Sequence, residues 1–266
     1  MNLKMTEKTL ADFMNQIPEV RAVKKIIAVA SAKGGVGKST IACNLAVASQ
    51  ALGKNTALVD ADIYGPSVAH LMRLKDKPQQ KDNLILPIVS NGVKCISITS
   101  MIDEAQAGVW RGPMVTKILY QLIRNVDWKS DGKEVDVMIV DMPPGTGDVY
   151  LSMAEKFPIS GVIMVSTPQS LSVIDVVKSV DCFAKLKIPI LGLIQNMSYL
   201  EVNGEKKYLF GQDGAKNFSL KNGIKFLGDL PILEEVSKSN EARSSFVLDN
   251  PNSLATQLLK EIAKSF

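Results

Sequence analysis

Apolar residues in this chain fall in short, nearly unbroken runs, separated by stretches with helical spacing. The runs lie at 26–30, 56–60, 93–98, 135–141, 161–166, 190–195 and 225–230. Between them, apolar positions recur three and four residues apart over 38–52, 112–126, 149–156, 171–186 and 213–222. A strand that is apolar on successive residues, rather than on alternate ones, is covered on both faces, as in a parallel sheet. Regular alternation of such strands with helices predicts an α/β fold, a mostly parallel twisted sheet with helices on both faces. Ligands of such sheets bind beyond the carboxyl ends of the strands.

Three segments stand outside the alternation. Residues 1–24 are polar, and Pro18 breaks their weak helical periodicity. They read as a leader packed on the domain rather than a domain of their own, with 25–266 as the domain proper. Residues 75–94 are polar and contain Pro78 and Pro87, the pattern of an exposed excursion with a short hairpin. Residues 252–266 place Leu254, Leu258, Leu259, Ile262 and Phe266 at helical spacing. This reads as a last helix covering the sheet. A membrane-lying helix would want more positive charge than Lys260 and Lys264 supply.

Composition narrows the class. The 266 residues are 46% hydrophobic and 22% charged, ordinary for a globular protein, with few aromatics to build the core. Net charge is 31 − 27 = +4, and the lysines come in short pairs rather than a basic patch, so no nucleic-acid partner is expected. No apolar run approaches the about 20 residues needed to span a bilayer. The N-terminus lacks the apolar stretch of a signal peptide, which makes the cytoplasm the expected compartment. Cys43, Cys95 and Cys182 are far apart and odd in number, which argues against a disulfide framework.

The chemistry is concentrated at strand ends. The first apolar run leads into Ser31-Ala-Lys-Gly-Gly-Val-Gly-Lys-Ser-Thr40, and a helical pattern leaves it. Strand, glycine-rich turn and Gly-Lys-Ser opening a helix is the context of a phosphate-binding loop. Its glycines let successive N–H groups converge, and the helix adds its positive end. Lys38 brings a point charge for the β/γ-phosphates, and the Ser39 hydroxyl is a Mg²⁺ ligand candidate. Lys33, Gly34, Gly35, Val36, Gly37 and Thr40 complete the nucleotide-binding candidates. Ala32 stands where the standard spacing wants glycine, and Lys33 adds a second lysine, which defines a deviant form of the loop. The second run ends Asp60-Ala61-Asp62, placing Asp60 near a metal shell and Asp62 where it can orient or activate water. A further run ends at Asp141, the pattern of a Mg²⁺-holding strand aspartate, and continues into Pro143-Pro144-Gly145-Thr146-Gly147, a backbone able to change shape with the γ-phosphate. Asn196 ends another strand, with a donor and an acceptor for an adenine edge.

Together these stretches resemble the Mrp/ApbC-type iron–sulfur cluster carrier ATPases, within the deviant-loop class that includes the Min and Par positioning proteins and nitrogenase iron protein. IIAVASAKGGVGKST, LVDADIYGPS, VWRGPM, VDWK, VDVMIVDMPPGTGDVYLS, GVIMVSTPQ, LGLIQNMSY, LFGQDGA and FLGDLP carry the resemblance from about Arg21 onward. It implies slow Mg²⁺-dependent ATP hydrolysis in a homodimer that holds a cluster and delivers it to apoproteins or assembly factors. Lys33 would reach the nucleotide of the partner subunit, Lys38 would hold the β/γ-phosphates, and Asp62 would act on the water. Ser39, Asp60 and Asp141 would hold Mg²⁺, and Asn196 would face adenine. The resemblance also implies a Cys-x-x-Cys pair shortly after Asn196-Met197-Ser198. This chain has Tyr199-Leu-Glu-Val-Asn-Gly-Glu-Lys-Lys-Tyr208 there, with no cysteine, so no Fe–S ligand is identifiable. The alternative that follows is a cluster-free, ATP-dependent dimerisation switch serving as an assembly factor, regulator or positioning ATPase.

Overall fold

The computed structural model describes residues 20–62, 65, 67–74, 77–97, 119, 123–145 and 148–266. In chain order the strands and helices are β1 (Ile26–Ala30), α1 (Lys38–Ala51), β2 (Thr56–Asp60), α2 (Ser67–Leu71), β3 (Gln80–Lys81), β4 (Leu84–Ile85), β5 (Ile88–Ser90) and β6 (Val93–Ser97). There follow β7 (Val137–Asp141), α3 (Asp148–Lys156), β8 (Gly161–Ser166), α4 (Ser170–Lys185), β9 (Ile190–Gln195), β10 (Leu200–Val202) and β11 (Glu205–Lys207). Then come α5 (Gly214–Lys221), β12 (Phe226–Asp229), α6 (Glu234–Glu241), α7 (Phe246–Asp249) and α8 (Leu254–Lys264).

Eight strands form one sheet in the order β12-β9-β8-β1-β7-β2-β6-β5. All neighbours are parallel except β5, which pairs antiparallel with β6 at the edge. The seven predicted strands are all present. The apolar runs are explained by burial on both faces. Ile26, Ala28 and Ala30 of β1 join one core with Val59, Met138, Val140, Val162, Trp128, Tyr150 and Phe183. Ile27 and Val29 join a second core with Leu58, Ile139, Val165 and the inner faces of α1 and α8.

Boundaries differ where side chains intervene. Strand β7 begins at Val137, not at Val135, and just before it the Asp136 carboxylate takes the Lys24 ammonium at 2.7 Å and the Asn55 amide at 2.9 Å. Val135 makes a lone parallel bridge to Val23 instead. The 75–94 excursion holds two antiparallel pairings, β3 with β4 and β5 with β6. The last helix covers the sheet as expected: Leu259, Ile262, Ala263 and Phe266 are buried against α1. The Lys54 ammonium donates to the Ala263 carbonyl at 2.8 Å and lies 5.4 Å from the Phe266 ring centroid. Most of the expected helix at 112–126, the VWRGPM stretch and Thr146-Gly147 lie outside the described residues, although Leu119 and Ile123 are buried in the core. Among the described residues, no helix is long and apolar enough to cross a membrane.

Candidate nucleotide site

Strands β1, β2, β7 and β9 run parallel, so their carboxyl ends open on one rim. The β1–α1 loop lies there. Gly35 and Gly37 take φ of +79° and +83°, a left-handed conformation that L side chains resist. Gly37 is doubly required, because a Cβ would stand 2.3 Å from Asn196 Nδ2. Helix α1 follows Gly37 at its N-cap position, with no side-chain cap and no acidic residue in its first turn. Its first N–H groups are the orphan donors that an anion satisfies. The loop is braced from inside by the Ser31 hydroxyl, which donates to the Lys33 carbonyl at 2.8 Å. Ala32, in place of the usual glycine, packs its methyl against the first core.

Lys38 is 6% exposed, and its ammonium is the centre of the site. It donates to Asp141 Oδ1 at 2.6 Å and to Ser39 Oγ at 3.3 Å, and lies 4.0 Å from Asp62 Oδ2. Burial pushes the Asp141 carboxyl above its ordinary value, against the pull of the Lys38 charge. Asp141 Oδ2 is buried with no hydrogen-bond partner among the described residues. Asp60 lies deeper still. Its Oδ2 accepts from Ser97 Oγ at 2.9 Å and its Oδ1 from the Asp62 amide at 3.1 Å. Burial, then the neighbouring Asp141 charge, push its pKa up to about 8. Asp62 holds the turn that follows by accepting from the Gly65 amide at 3.2 Å.

A cavity of about 820 Å³ opens above this group, bounded by Lys33, Gly35, Lys38, Ser39 and Asp62 on one side and His70 and Leu71 on the other. The structure thus brings Lys33, Gly34, Gly35, Gly37, Lys38, Ser39, Thr40 and Asp62 to one cavity. It keeps Asp60 behind Asp62 and Asp141 beneath Lys38. Val36 is buried, and its carbonyl accepts from Asn196 Nδ2 at 2.8 Å, so Asn196 braces the loop with one of its N–H groups. Asn196 also borders a second, mostly apolar cavity of about 230 Å³ alongside, walled by Leu230, Pro231, Ile232 and Phe246. Lys33 reaches Asp175 of α4 in its own chain, 3.3 Å away. Asp175 also holds Lys178 at 3.1 Å, and the two lysines keep its carboxyl below the usual range. Gly145 donates to the Ser31 carbonyl at 3.0 Å, tying the segment after β7 to the loop.

Sequence reasoning did not single out His70, Ser97 or helix α6. Helix α6 is mostly polar, so it carries little of the apolar periodicity that marks a helix in sequence.

Of the three thiols, Cys43 and Cys95 are buried and Cys182 is half-buried. Burial raises all three thiols above their ordinary pKa. Such thiols are poor thiolate donors, and they do not form a cradle for an iron–sulfur cluster. Among the described residues, no group of three His, Cys, Asp or Glu side chains could hold a metal ion. A Mg²⁺ makes a different demand, one or two protein oxygens plus phosphates and waters. The unpartnered Asp141 Oδ2 and the Ser39 hydroxyl fit that demand.

Comparison with known proteins agrees with this geometry. A family profile described as "ParA: NUBPL iron-transfer P-loop NTPase" matches residues 22–266. The chain is 40% identical over 250 residues to the "Iron-sulfur cluster transfer protein NUBPL" of Dictyostelium discoideum, covering 92% of this chain and 76% of that protein. It is 38% identical over 254 residues to the "Iron-sulfur cluster carrier protein" of Haemophilus influenzae, covering 94% and 68%. Among solved structures, a nucleotide-binding protein of Archaeoglobus fulgidus in complex with ADP superposes with a TM-score of 0.75 at 31% identity, over 88% of this chain and 92% of that one. The cell division ATPase MinD of Pyrococcus furiosus shares the fold, with a TM-score of 0.68 at 18% identity over 90% and 97%. With its glycine-rich loop, its buried lysine–carboxylate group and this similarity along nearly its whole length, the chain belongs to the NUBPL iron-transfer family of ParA-type P-loop NTPases.

Proposed function

We propose that this chain is an ATP-binding and ATP-hydrolysing carrier of the iron–sulfur type, working as a Mg²⁺-dependent homodimer that passes clusters to apoproteins. The observation that carries the nucleotide half is the buried Lys38 ammonium, held 2.6 Å from Asp141 at the foot of an uncapped helix and an open cavity. A lysine so placed is already desolvated and needs only to exchange one anion for another. The β/γ-phosphates would take its charge and the amides of Gly35, Gly37 and the first turn of α1. Mg²⁺, held by Ser39 with Asp141 close to its shell, would neutralise the phosphate charge that builds up as the γ-phosphoryl leaves. Asp62, on the cavity wall, orients the attacking water and accepts its proton. Asn196 fixes the loop and borders the apolar cavity where the base would lie, its carbonyl and remaining N–H suiting an adenine edge.

The Gly145–Ser31 bond links the phosphate loop to the segment after β7, so a change at the γ-phosphate has a backbone route outward. Lys33 would serve the nucleotide of the partner subunit. To do so it must leave Asp175, which makes the Lys33–Asp175 pair a feature of the separate subunit.

The cargo half rests on family membership. A second reading, the cluster-free dimerisation switch, is favoured by one specific observation: the segment at 199–208 is a closed hairpin without a thiol. Protein purified without oxygen and assayed for iron and sulfide separates the two. About one cluster per dimer with visible absorption supports the carrier. Absent iron, with ATP turnover intact and ATP–Mg²⁺-dependent dimers in light scattering, supports the switch. Absent ATP turnover rejects both.

A further inference from the structure

The opposite end of the sheet holds a cavity of its own, of about 540 Å³. Arg21, Arg124 and Lys129 border it, and Leu84, Val126 and Trp128 give it apolar walls. Arg21 and Ala22 precede β1, and the Ala22 carbonyl accepts from the Val135 amide, just before β7, at 2.8 Å. The cavity therefore lies toward the amino ends of the parallel strands, away from the glycine-rich loop.

Its walls are held by the fold itself. Ile85 of β4 donates to the Asn125 carbonyl at 2.7 Å and accepts from the Asp127 amide at 2.8 Å, which pins the 125–129 turn to the β3–β4 hairpin. Trp128 is buried, and its indole Nε1 donates to the Ile123 carbonyl at 2.8 Å. Ala22 takes φ of +62°, a conformation that residues with a side chain seldom adopt, and the Val135 bond holds it there. Backbone of this kind persists only where its surroundings fix it, and it clusters at ligand sites.

The charge around the cavity is one-sided. The carboxylate on its border is Asp127, whose Oδ1 accepts from the Lys129 amide at 3.1 Å. Other carboxylates at this end are matched to other cations: Asp136 holds Lys24 and Asp131 holds Lys94, each at 2.7 Å. Glu134 stands 3.8 Å from the Lys129 ammonium, beyond hydrogen-bond distance. Lys25, at the foot of β1, adds to the excess: burial, then the Lys25 charge, lower the Lys54 ammonium below its ordinary value. Two guanidinium groups and an ammonium therefore face one carboxylate over an apolar floor. Apolar walls with a few placed polar groups, at this volume, are the lining of a small-molecule site. A guanidinium matches the paired oxygens of a carboxylate or phosphate.

We propose that this cavity binds a small organic anion, a compact apolar body bearing carboxylate or phosphate groups. The proposal does not depend on the nucleotide reading.

The test is calorimetric titration of the full chain, with ADP and Mg²⁺ in excess to occupy the glycine-rich loop. The probes are benzene tricarboxylate and phenyl phosphate. At least one should bind at a single site per chain, and which one binds tells carboxylate from phosphate. Arg21→Ala and Lys129→Ala should each weaken that binding about tenfold or more, as expected for a lost charge-assisted hydrogen bond. Lys207→Ala, on the distant β10–β11 hairpin, should leave it within about twofold. Unchanged thermal unfolding of the variants shows that they are folded. No binding of either probe at millimolar concentration would overturn the proposal. So would equal affinity in wild type, Arg21→Ala and Lys129→Ala, or equal binding of the uncharged benzene tricarboxamide.

Discussion

Strand β9 leads into two very different regions. Its end, at Gln195 and Asn196, joins the nucleotide rim, and four residues later the chain enters the β10–β11 hairpin. The rim gathers buried ionisable groups: Lys38, Asp60, Asp62 and Asp141 are all under one-tenth exposed and within one group of contacts. The hairpin is the opposite. It turns through Asn203 and Gly204 at φ of +53° and +80°, the left-handed pair that closes a two-residue turn. Its charged residues, Glu201, Glu205, Lys206 and Lys207, face water. Tyr199 and Tyr208 meet edge-on at its base, centroids 6.4 Å apart, and the Lys206 ammonium lies 4.2 Å from the Tyr199 ring centroid. Buried charges in a low dielectric interact strongly and tolerate no unpaired partner, whereas exposed ones are screened and weakly coupled. The groups of the rim are therefore tightly coupled, and the hairpin is a closed surface element without a thiol.

The largest expected contrast comes from removing one lysine from each region. Lys38→Ala should abolish measurable ATP binding in calorimetry, while Lys206→Ala should leave the affinity within about twofold, since an exposed cation–π contact contributes only about 0.5–1 kcal/mol. Comparable losses in the two variants would mean that hairpin and rim are not separable. Next in size is Asp62→Ala. Removing a group that positions and deprotonates water slows hydrolysis about 100-fold or more, and ATP affinity should hold. A steady-state phosphate-release assay beside a binding titration checks both, and undiminished turnover would remove Asp62 from the chemistry.

A smaller effect is expected at Lys33, which is partly exposed. Lys33→Ala should weaken ATP-dependent self-association about tenfold in light scattering, if a charge-assisted contact to the partner's phosphate is lost. An unchanged association curve would leave Lys33 with its intrachain role alone. The smallest effect is a slope. Asp60 has a folded pKa of about 8 against an ordinary 3.8, so the folded state holds a proton that the unfolded chain releases. Its contribution to stability is present at low pH and is lost as pH rises through about 8. Metal- and nucleotide-free protein should therefore lose stability between about pH 4 and pH 8, and Asp60→Asn should flatten that slope in denaturant titrations. An identical slope in the variant would show that other groups set it.

Much of this was legible in the sequence, because the signals were local. A glycine-rich turn between a strand and a helix, and aspartates that close apolar runs, are read within about ten residues. Parallel strands then carry those residues to one rim by geometry alone. The same locality explains what was not legible. Asp141 lies 103 residues from the lysine it holds, and Val36 lies 160 residues from Asn196. Nothing near Asp60 announced that Ser97, on the neighbouring strand, would occupy its carboxylate and draw it back from the cavity. Helix α6 was passed over because most of its face is polar, and its Asn240 lines both cavities.

The sequence by itself determined the α/β alternation, the phosphate loop with its second lysine, and the lack of a cysteine pair after Asn196. Each follows from residue type and spacing along the chain. Only the tertiary structure decided where each carboxylate sits relative to Lys38, which anion holds Lys33 in the single chain, and that two cavities share Asn240 on their borders. Those outcomes depend on side chains from distant strands competing for the same few ångströms of buried space, where desolvation and available partners choose between arrangements that look equal in sequence.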